Sequence, residues 1–152
     1  MSESSKDSIK SQLVIVLCLV QFLSNSAFSQ MAPFYPLKAK EKGVSVIYVG
    51  FVIGTMALFS IISSYIIGRC LKRMGGRKYI IFVSTVLIIC QTCLLGYLEY
   101  VDDEDTFLLL SFIAQVLGGF GAGANSTASM AILSSFDKDE REKYIGWVEA
   151  AF

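Results

Sequence analysis

The sequence predicts an all-α fold, a polytopic bundle of transmembrane helices. Hydrophobic residues make up 54% of the 152 residues and charged residues only 17%, too few polar residues to cover a soluble globule. The apolar residues are gathered in runs of about 20, the length that crosses a bilayer core as a helix. These runs do not alternate as strands would, and lipid does not tolerate unpaired backbone groups, so helices are expected.

Four complete spans and the start of a fifth are expected. An amino-terminal tail, residues 1–11, precedes a bundle that covers residues 12–152. The expected spans are residues 13–32, 44–68, 79–97 and 107–133, with a fifth that starts at residue 144. The protein is therefore expected to sit in the lipid bilayer and to cross it several times.

The first apolar run has a competing interpretation as a cleaved signal peptide. Lys6 and Lys10 precede it, and Ala27-Phe28-Ser29 before Gln30 is typical of a small-residue cleavage site. The run continues to Ala32, however, which extends it to spanning length. We therefore expect it to remain as the first span.

The distribution of basic residues predicts a cytoplasmic amino terminus. With that orientation, three of the 13 Lys and Arg residues lie on the far side, Lys38, Lys40 and Lys42, and the other ten lie in the cytoplasm. Basic residues concentrate in the cytoplasmic loops of membrane proteins. This distribution does not distinguish a plasma membrane from a vesicular or endolysosomal one.

Several function classes are disfavoured by composition. Thirteen basic and thirteen acidic residues leave no net charge for binding nucleic acid. The chain has no His, and the Cys90-x-x-Cys93 pair lies in an apolar run without a second pair, so neither a metal nor a cofactor is expected. No catalytic motif is present, and an enzyme is not expected.

Polar and small residues mark particular helix faces. Small residues four apart, Gly50 and Gly54 in the second span and Gly119 and Gly123 in the fourth, predict close helix packing. The third span has little polar content beyond Gln91 and Thr92. Polar residues are instead concentrated in the first and fourth spans, which should face inward: Gln21, Asn25, Ser29, Gln115, Asn125 and Ser129. Two interpretations stay open, hydrogen bonds that join helices and a pathway for a solute.

The basic loop after the second span carries the most specific pattern. Its composition alone is typical of a cytoplasmic anchor. Its order resembles the cytoplasmic loop signature of the major facilitator superfamily, in which Lys72 replaces the usual Asp and the remaining positions match: Gly68, Arg73, Gly75, Arg77 and Lys78. A lysine cannot accept the hydrogen bonds of that Asp.

Three other stretches support this resemblance. Residues 32–36 and 38–43 are similar to the end of helix one and the first outer loop of the vesicular amine transporter-like branch, and residues 146–152 to the start of its helix five. Gln115 with Gly119 and Gly121 resembles the helix-four motif, with Gln115 where proton-coupled exporters carry an arginine.

The resemblance implies an incomplete amino-terminal half of a major facilitator fold, which has two six-helix bundles around a central site. It implies secondary transport of a small organic solute, with helices one and four bordering the cavity. Glu149 then has two interpretations, a substrate or coupling role and an interfacial position near Arg141 or Lys143.

A product of only 152 residues would not be expected to transport alone, because alternating access needs two bundles. The alternative function is a non-transporting structural or partner-binding membrane protein, with a second membrane chain that completes the bundle.

Overall fold

A computed structural model describes residues 3–71 and 76–150 of the chain. The elements are α1 (Glu3–Glu41), α2 (Val46–Cys70), α3 (Arg77–Tyr97), a one-turn 3-10 helix (Leu98–Tyr100), α4 (Glu104–Leu133) and α5 (Lys138–Ala150). These described residues form helices and connecting turns without a β-strand, which confirms the all-α fold.

Four of the helices are long and apolar enough to cross a membrane. The candidate spans, among the residues described, are Lys10–Glu41, Val46–Cys70, Arg77–Tyr100 and Glu104–Leu133. Each overlaps one of the four expected spans. α5 begins at Lys138, ahead of residue 144 where the fifth span is expected to start, and is described as far as Ala150.

The bundle has two ends of different charge. α1 and α3 each run antiparallel to α4, whereas α2 runs parallel to it. One end holds the start of α1, the end of α2 and the starts of α3 and α5, and we call it the basic end. The other holds the end of α1, the 3-10 helix and the start of α4, with the acidic residues Glu99 to Asp105, and we call it the acidic end.

α4 is the central helix of the described bundle. Half of the residues in its 18-residue apolar stretch are buried, against 17–22% in the corresponding stretches of the other three spans. A Cβ atom added to Gly119 would lie 2.6 Å from the Met56 carbonyl oxygen of α2, and one added to Gly121 would lie 2.8 Å from Ile88 Cγ1 of α3. Because Gly119 and Gly121 have no side chains, α2 and α3 can pack closely against two faces of the α4 backbone.

Serine hydroxyls of α2 reinforce its contact with α4. Ser63 donates to the Phe120 carbonyl at 2.8 Å, and Ser64 donates to the Gly123 carbonyl at 3.2 Å. Gly50 and Gly54 of α2, in contrast, have no neighbouring atom within 4 Å of an added Cβ. The close packing expected at this glycine pair is absent from the described residues, because Val49 and Val52 form the buried face of α2 here and leave both glycines on its exposed face.

α1 is longer than the first expected span. The stretch after Ala32 was expected to end the helix, yet α1 continues through Pro33 and Pro36 to Glu41. Proline removes a backbone donor and disfavours a helix interior. The continuation places Met31, Tyr35 and Ala39, four residues apart, in a buried cluster with residues of α2 and α4, so tertiary packing outweighs the local preference.

α1 ends at a glycine turn instead of at the prolines. Gly43 has φ of 83°, a backbone conformation that favours glycine. The Val44 N–H donates to the Ala39 carbonyl at 2.9 Å, and the Gly43 N–H donates to the Lys40 carbonyl at 3.2 Å. These two bonds form a Schellman cap, which satisfies carbonyls that the helix end would leave unpaired.

Candidate functional site

α1 and α4 meet along a line of antiparallel contacts in which amides lie between apolar layers. At the acidic end, the Tyr35 and Phe107 rings stack at a centroid distance of 5.9 Å. Toward the basic end, Leu17 packs in one cluster with Ile132 and Leu133. The polar contacts of the two helices lie between these layers, shielded from both ends of the bundle.

The pair Gln21 and Asn125 forms the centre of the candidate site. Asn125 Nδ2 donates to Gln21 Oε1 at 2.9 Å, and the two residues are only 1% and 4% exposed. Asn125 Oδ1 is buried without a hydrogen-bond partner among the described residues, as is the hydroxyl of Ser129 one turn further on. A buried polar atom without a partner is costly, so these two oxygens can accept or exchange a hydrogen bond with a ligand or with water.

A small cavity of about 40 Å³ adjoins this pair. Its polar lining comes from three helices and includes Gln21, Ser24, Asn25, Gln91 and Asn125. Asn25 is half-buried, and its Nδ2 donates to the Gln21 carbonyl at 3.1 Å. The cavity therefore has hydrogen-bonding groups on several sides.

Gln115 links α4 to both α1 and α3. Its Nε2 donates to the Met31 sulfur at 2.8 Å, and its Oε1 accepts from Gln91 Nε2 at 3.3 Å. Gln115 and Gln91 are 0% and 6% exposed. Gln115 stands at the position where the resemblance places the arginine of proton-coupled exporters. In this chain the position is a neutral amide with partners on two neighbouring helices.

Gln91 is a residue of this network that sequence reasoning did not select. The sequence pattern marks Gln91 only weakly, because Gln91 and Thr92 are adjacent polar residues that lie on different faces of α3. Thr92 is exposed and donates to the Ile88 carbonyl of its own helix at 2.9 Å. Only the packing of α3 on Gly118 identifies Gln91 as the inward residue, since an added Gly118 Cβ would clash with the Gln91 amide.

The remaining predicted pathway residues lie apart from the amides. Ser29 is exposed on α1, and Glu149 is exposed on α5. Within the described residues, therefore, neither joins the cluster around Asn125.

The loop signature is only partly described. Gly68 is exposed near the end of α2, and Arg77 and Lys78 are exposed in the first turn of α3. Lys72, Arg73 and Gly75 lie outside the described residues. The match of this loop to the family signature rests on the sequence.

Ion pairs join α1, or the turn that follows it, to other elements at both ends of the bundle. At the basic end Lys10 lies 2.8 Å from Glu140 of α5, and at the acidic end Lys42 lies 2.7 Å from Asp102. The hydrogen bond and charge of Lys42 hold the pKa of Asp102 below its ordinary value. Hydrogen bonds from the Thr106 hydroxyl and N–H likewise lower the pKa of Asp103, which caps α4.

The interior of the four spans is uncharged. Residues 13–37, 46–68, 79–97 and 106–136 contain no Asp, Glu, Lys, Arg or His. The buried amides and hydroxyls are thus the strongest polar groups that these segments can present to a bound molecule.

Comparison with known proteins gives one family. The family model of the Major Facilitator Superfamily matches residues 17–152. The MFS-type transporter SLC18B1 of Homo sapiens is 30% identical over 122 residues, which cover 80% of this chain and 26% of that protein. The Multidrug resistance protein MdtG of Klebsiella pneumoniae (strain 342) is 32% identical over 126 residues, which cover 80% of this chain and 30% of that protein.

The chain spans about a quarter of the length of such curated relatives. For the MFS-type transporter SLC18B1 of Mus musculus, the match is 30% identical over 107 residues, 70% of this chain and 23% of that protein. No solved structure gave a match.

Proposed function

Because this chain belongs to the major facilitator superfamily, we propose that it forms the amino-terminal part of a secondary transporter for a small organic solute. It is an integral, multi-pass membrane protein. In this proposal the described helices are one wall of a solute pathway, and a second bundle supplies the opposite wall. Substrates of such folds are held between two bundles that rock against each other.

The observation that carries the proposal is the pairing of Gln21 with Asn125 next to a cavity. The contact leaves Asn125 Oδ1 and the Ser129 hydroxyl buried and unpaired within the described residues. Most buried polar atoms of folded proteins have hydrogen-bond partners, so these two oxygens favour a missing donor over a role limited to joining helices. A solute group that donates a hydrogen bond, such as an amine, an amide or a hydroxyl, would pair with them.

Neutral groups set the expected mode of recognition. The interiors of the four spans present no charge to the solute, so binding by these segments relies on hydrogen bonds and apolar contact. Gln115 already has partners on α1 and α3 and supports the wall instead of contacting solute. Ser29 and Glu149 are exposed in the described bundle, and we propose that they contact solute only when a second bundle faces them.

The proposal places the amino terminus and the basic end in the cytoplasm. Ten of the 13 basic residues would then lie on the cytoplasmic side, as the positive-inside rule favours. The pathway opens toward the acidic end in one state and toward the basic end in the other.

The test is solute uptake by the native gene product. The messenger RNA is sequenced through the codon for Phe152, and the full product is purified and reconstituted in liposomes. Uptake is then measured for a panel of small organic amines and neutral solutes. The variants Asn125→Ala and Gln21→Ala are expected to raise the KM for a transported solute about tenfold, the loss of one good hydrogen bond in a desolvated site. Ser134→Ala, at an exposed position after α4, is the matched control.

Two outcomes would contradict the proposal. Uptake that is unchanged in both amide variants would remove Gln21 and Asn125 from the pathway. A product that transports no member of the panel, but co-purifies in a fixed ratio with another membrane chain, would favour the partner-binding alternative.

A further inference from the structure

A second cavity lies at the acidic end of the bundle, away from the amide pair of Gln21 and Asn125. It measures about 360 Å³ and is bordered by α1, α3, the 3-10 helix and the start of α4. Its walls are mainly apolar, with Met31, Phe34, Leu95, Leu98 and Phe107. A volume of this size is typical of small-molecule sites.

The mouth of this cavity lies at the level expected for lipid headgroups. Tyr97 and Tyr100 flank the lining residues Leu98 and Glu99 and are 58% and 80% exposed. Tyrosines concentrate at the membrane–water interface. From Glu99 the cavity follows α3 to Gln91, a helical distance of roughly 12 Å into the hydrocarbon region.

The charges at the mouth have both signs. Lys38 Nζ lies 3.2 Å from Glu99 and 3.3 Å from Glu41, and these side chains are 45–65% exposed. Exposed ion pairs contribute little to stability, so separating this pair costs little free energy. A phosphate could therefore take the place of a carboxylate on Lys38, while an ammonium group binds Glu99.

The surroundings favour a zwitterionic headgroup over an anionic one. The acidic end carries three lysines, Lys38, Lys40 and Lys42. It also carries six carboxylates, twice as many: Glu41, Glu99, Asp102, Asp103, Glu104 and Asp105. An extra negative charge would be repelled by this excess, whereas a paired phosphate and ammonium would not.

We propose that this cavity binds one zwitterionic phospholipid, with an acyl chain between α1 and α3, the phosphate on Lys38 and the ammonium on Glu99. The headgroup end of this site lies away from Gln21 and Asn125, whereas its inner end reaches Gln91, which also borders the small cavity beside that pair. Lipid binding here does not depend on transport.

Gly96 provides a steric test. It lines the cavity, and a Cβ added there meets no atom within 4 Å, so Gly96→Phe can fill the space without displacing the backbone. Gly50→Phe is the matched control, since Gly50 is equally open but lies on α2. The full chain is purified in mild detergent with phosphatidylethanolamine, phosphatidylcholine or phosphatidylglycerol, and retained lipid is counted by native mass spectrometry.

We expect one retained zwitterionic lipid per chain and about tenfold less retention in Gly96→Phe than in the control. Equal retention in both variants, or stronger retention of phosphatidylglycerol than of the two zwitterionic lipids, would overturn the proposal. A preference for phosphatidylethanolamine over phosphatidylcholine would identify the ammonium group as a hydrogen-bond donor to Glu99.

Lys38→Ala tests the same site without adding bulk. Removing one headgroup-level lysine should weaken lipid retention about fivefold, whereas Lys40→Ala, on the same helix but outside the cavity lining, should not change it. Gel filtration and circular dichroism establish that each variant is folded. If Lys38→Ala and Lys40→Ala retain lipid equally, the headgroup assignment is wrong.

Discussion

Gln91 of α3 donates a hydrogen bond to Gln115 of α4 at 3.3 Å, and both side chains are more than nine-tenths buried. Since Gln115 also donates to Met31, this contact ties three helices together near the middle of α4. The glutamine pair therefore belongs to the framework that holds the proposed pathway in shape.

The first prediction concerns the strength of this glutamine pair. Gln91→Leu and Gln115→Leu should each destabilise the bundle by about 1 kcal/mol, because each leaves a buried amide without its partner. The double variant should lose less than the sum, with a coupling of roughly 0.6 kcal/mol and at most about 1.7. Free energies of unfolding measured in detergent micelles for the four proteins of the cycle would give this number, and strict additivity would contradict the pairing.

The second prediction contrasts two glycines of similar sequence setting. A Cβ added to Gly123 would clash with the Ser60 carbonyl, so Gly123→Ala must push α2 away from α4. We expect a loss of about 1–3 kcal/mol in unfolding free energy. Gly50→Ala meets no atom and should stabilise its helix by up to about 1 kcal/mol. Thermal unfolding of the two variants would then shift in opposite directions, and equal shifts would mean that α2 and α4 pack differently.

Much of this architecture could be predicted from hydropathy and residue size. The four spans follow from apolar runs, because lipid demands helices of fixed length. The fourth span, which its polar residues predict to face inward, is the most buried of the four described spans. The family was predicted from the basic loop and its flanking helices and is confirmed by the match to residues 17–152.

Which face of a helix meets which neighbour could not be predicted from local patterns. Gly50 and Gly54 have the spacing of a packing motif but no neighbour within the described residues, whereas Gly118 has one in Gln91. The continuation of α1 past Pro33 likewise depends on burial of Tyr35 by residues distant in sequence. These features arise from tertiary packing, which outweighs local preference.

The third prediction is a pH dependence at the acidic end. Lys42 lowers the folded-state pKa of Asp102, so this contact adds stability above the unfolded value of about 3.9 and loses it as pH falls through the lower folded value. The contact should thus be insensitive to pH between about 5 and 8 and should weaken only in stronger acid.

Carbon-13 shifts of the aspartate carboxyl groups would test this pH dependence directly. Lys42→Ala should raise the titration midpoint of Asp102 toward its ordinary value. The midpoint of Asp103 should stay low in the same variant, because its partner is Thr106. If both midpoints move together, the two carboxylates respond to a shared change in the loop and not to separate partners.

The fourth prediction concerns orientation in the membrane. Cys18, Cys70, Cys90 and Cys93 are replaced by serine, and single cysteines are placed at Asp105, in the first turn of α4, or at Lys78, in the first turn of α3. Both positions are exposed and lie at opposite ends of the bundle. With a cytoplasmic amino terminus, a membrane-impermeant thiol reagent should label Asp105→Cys in sealed, right-side-out vesicles and Lys78→Cys only after permeabilisation. The reverse pattern would place the basic loop outside the cytoplasm, which the distribution of lysine and arginine disfavours. It would also contradict the loop match, because the family signature lies in a cytoplasmic loop.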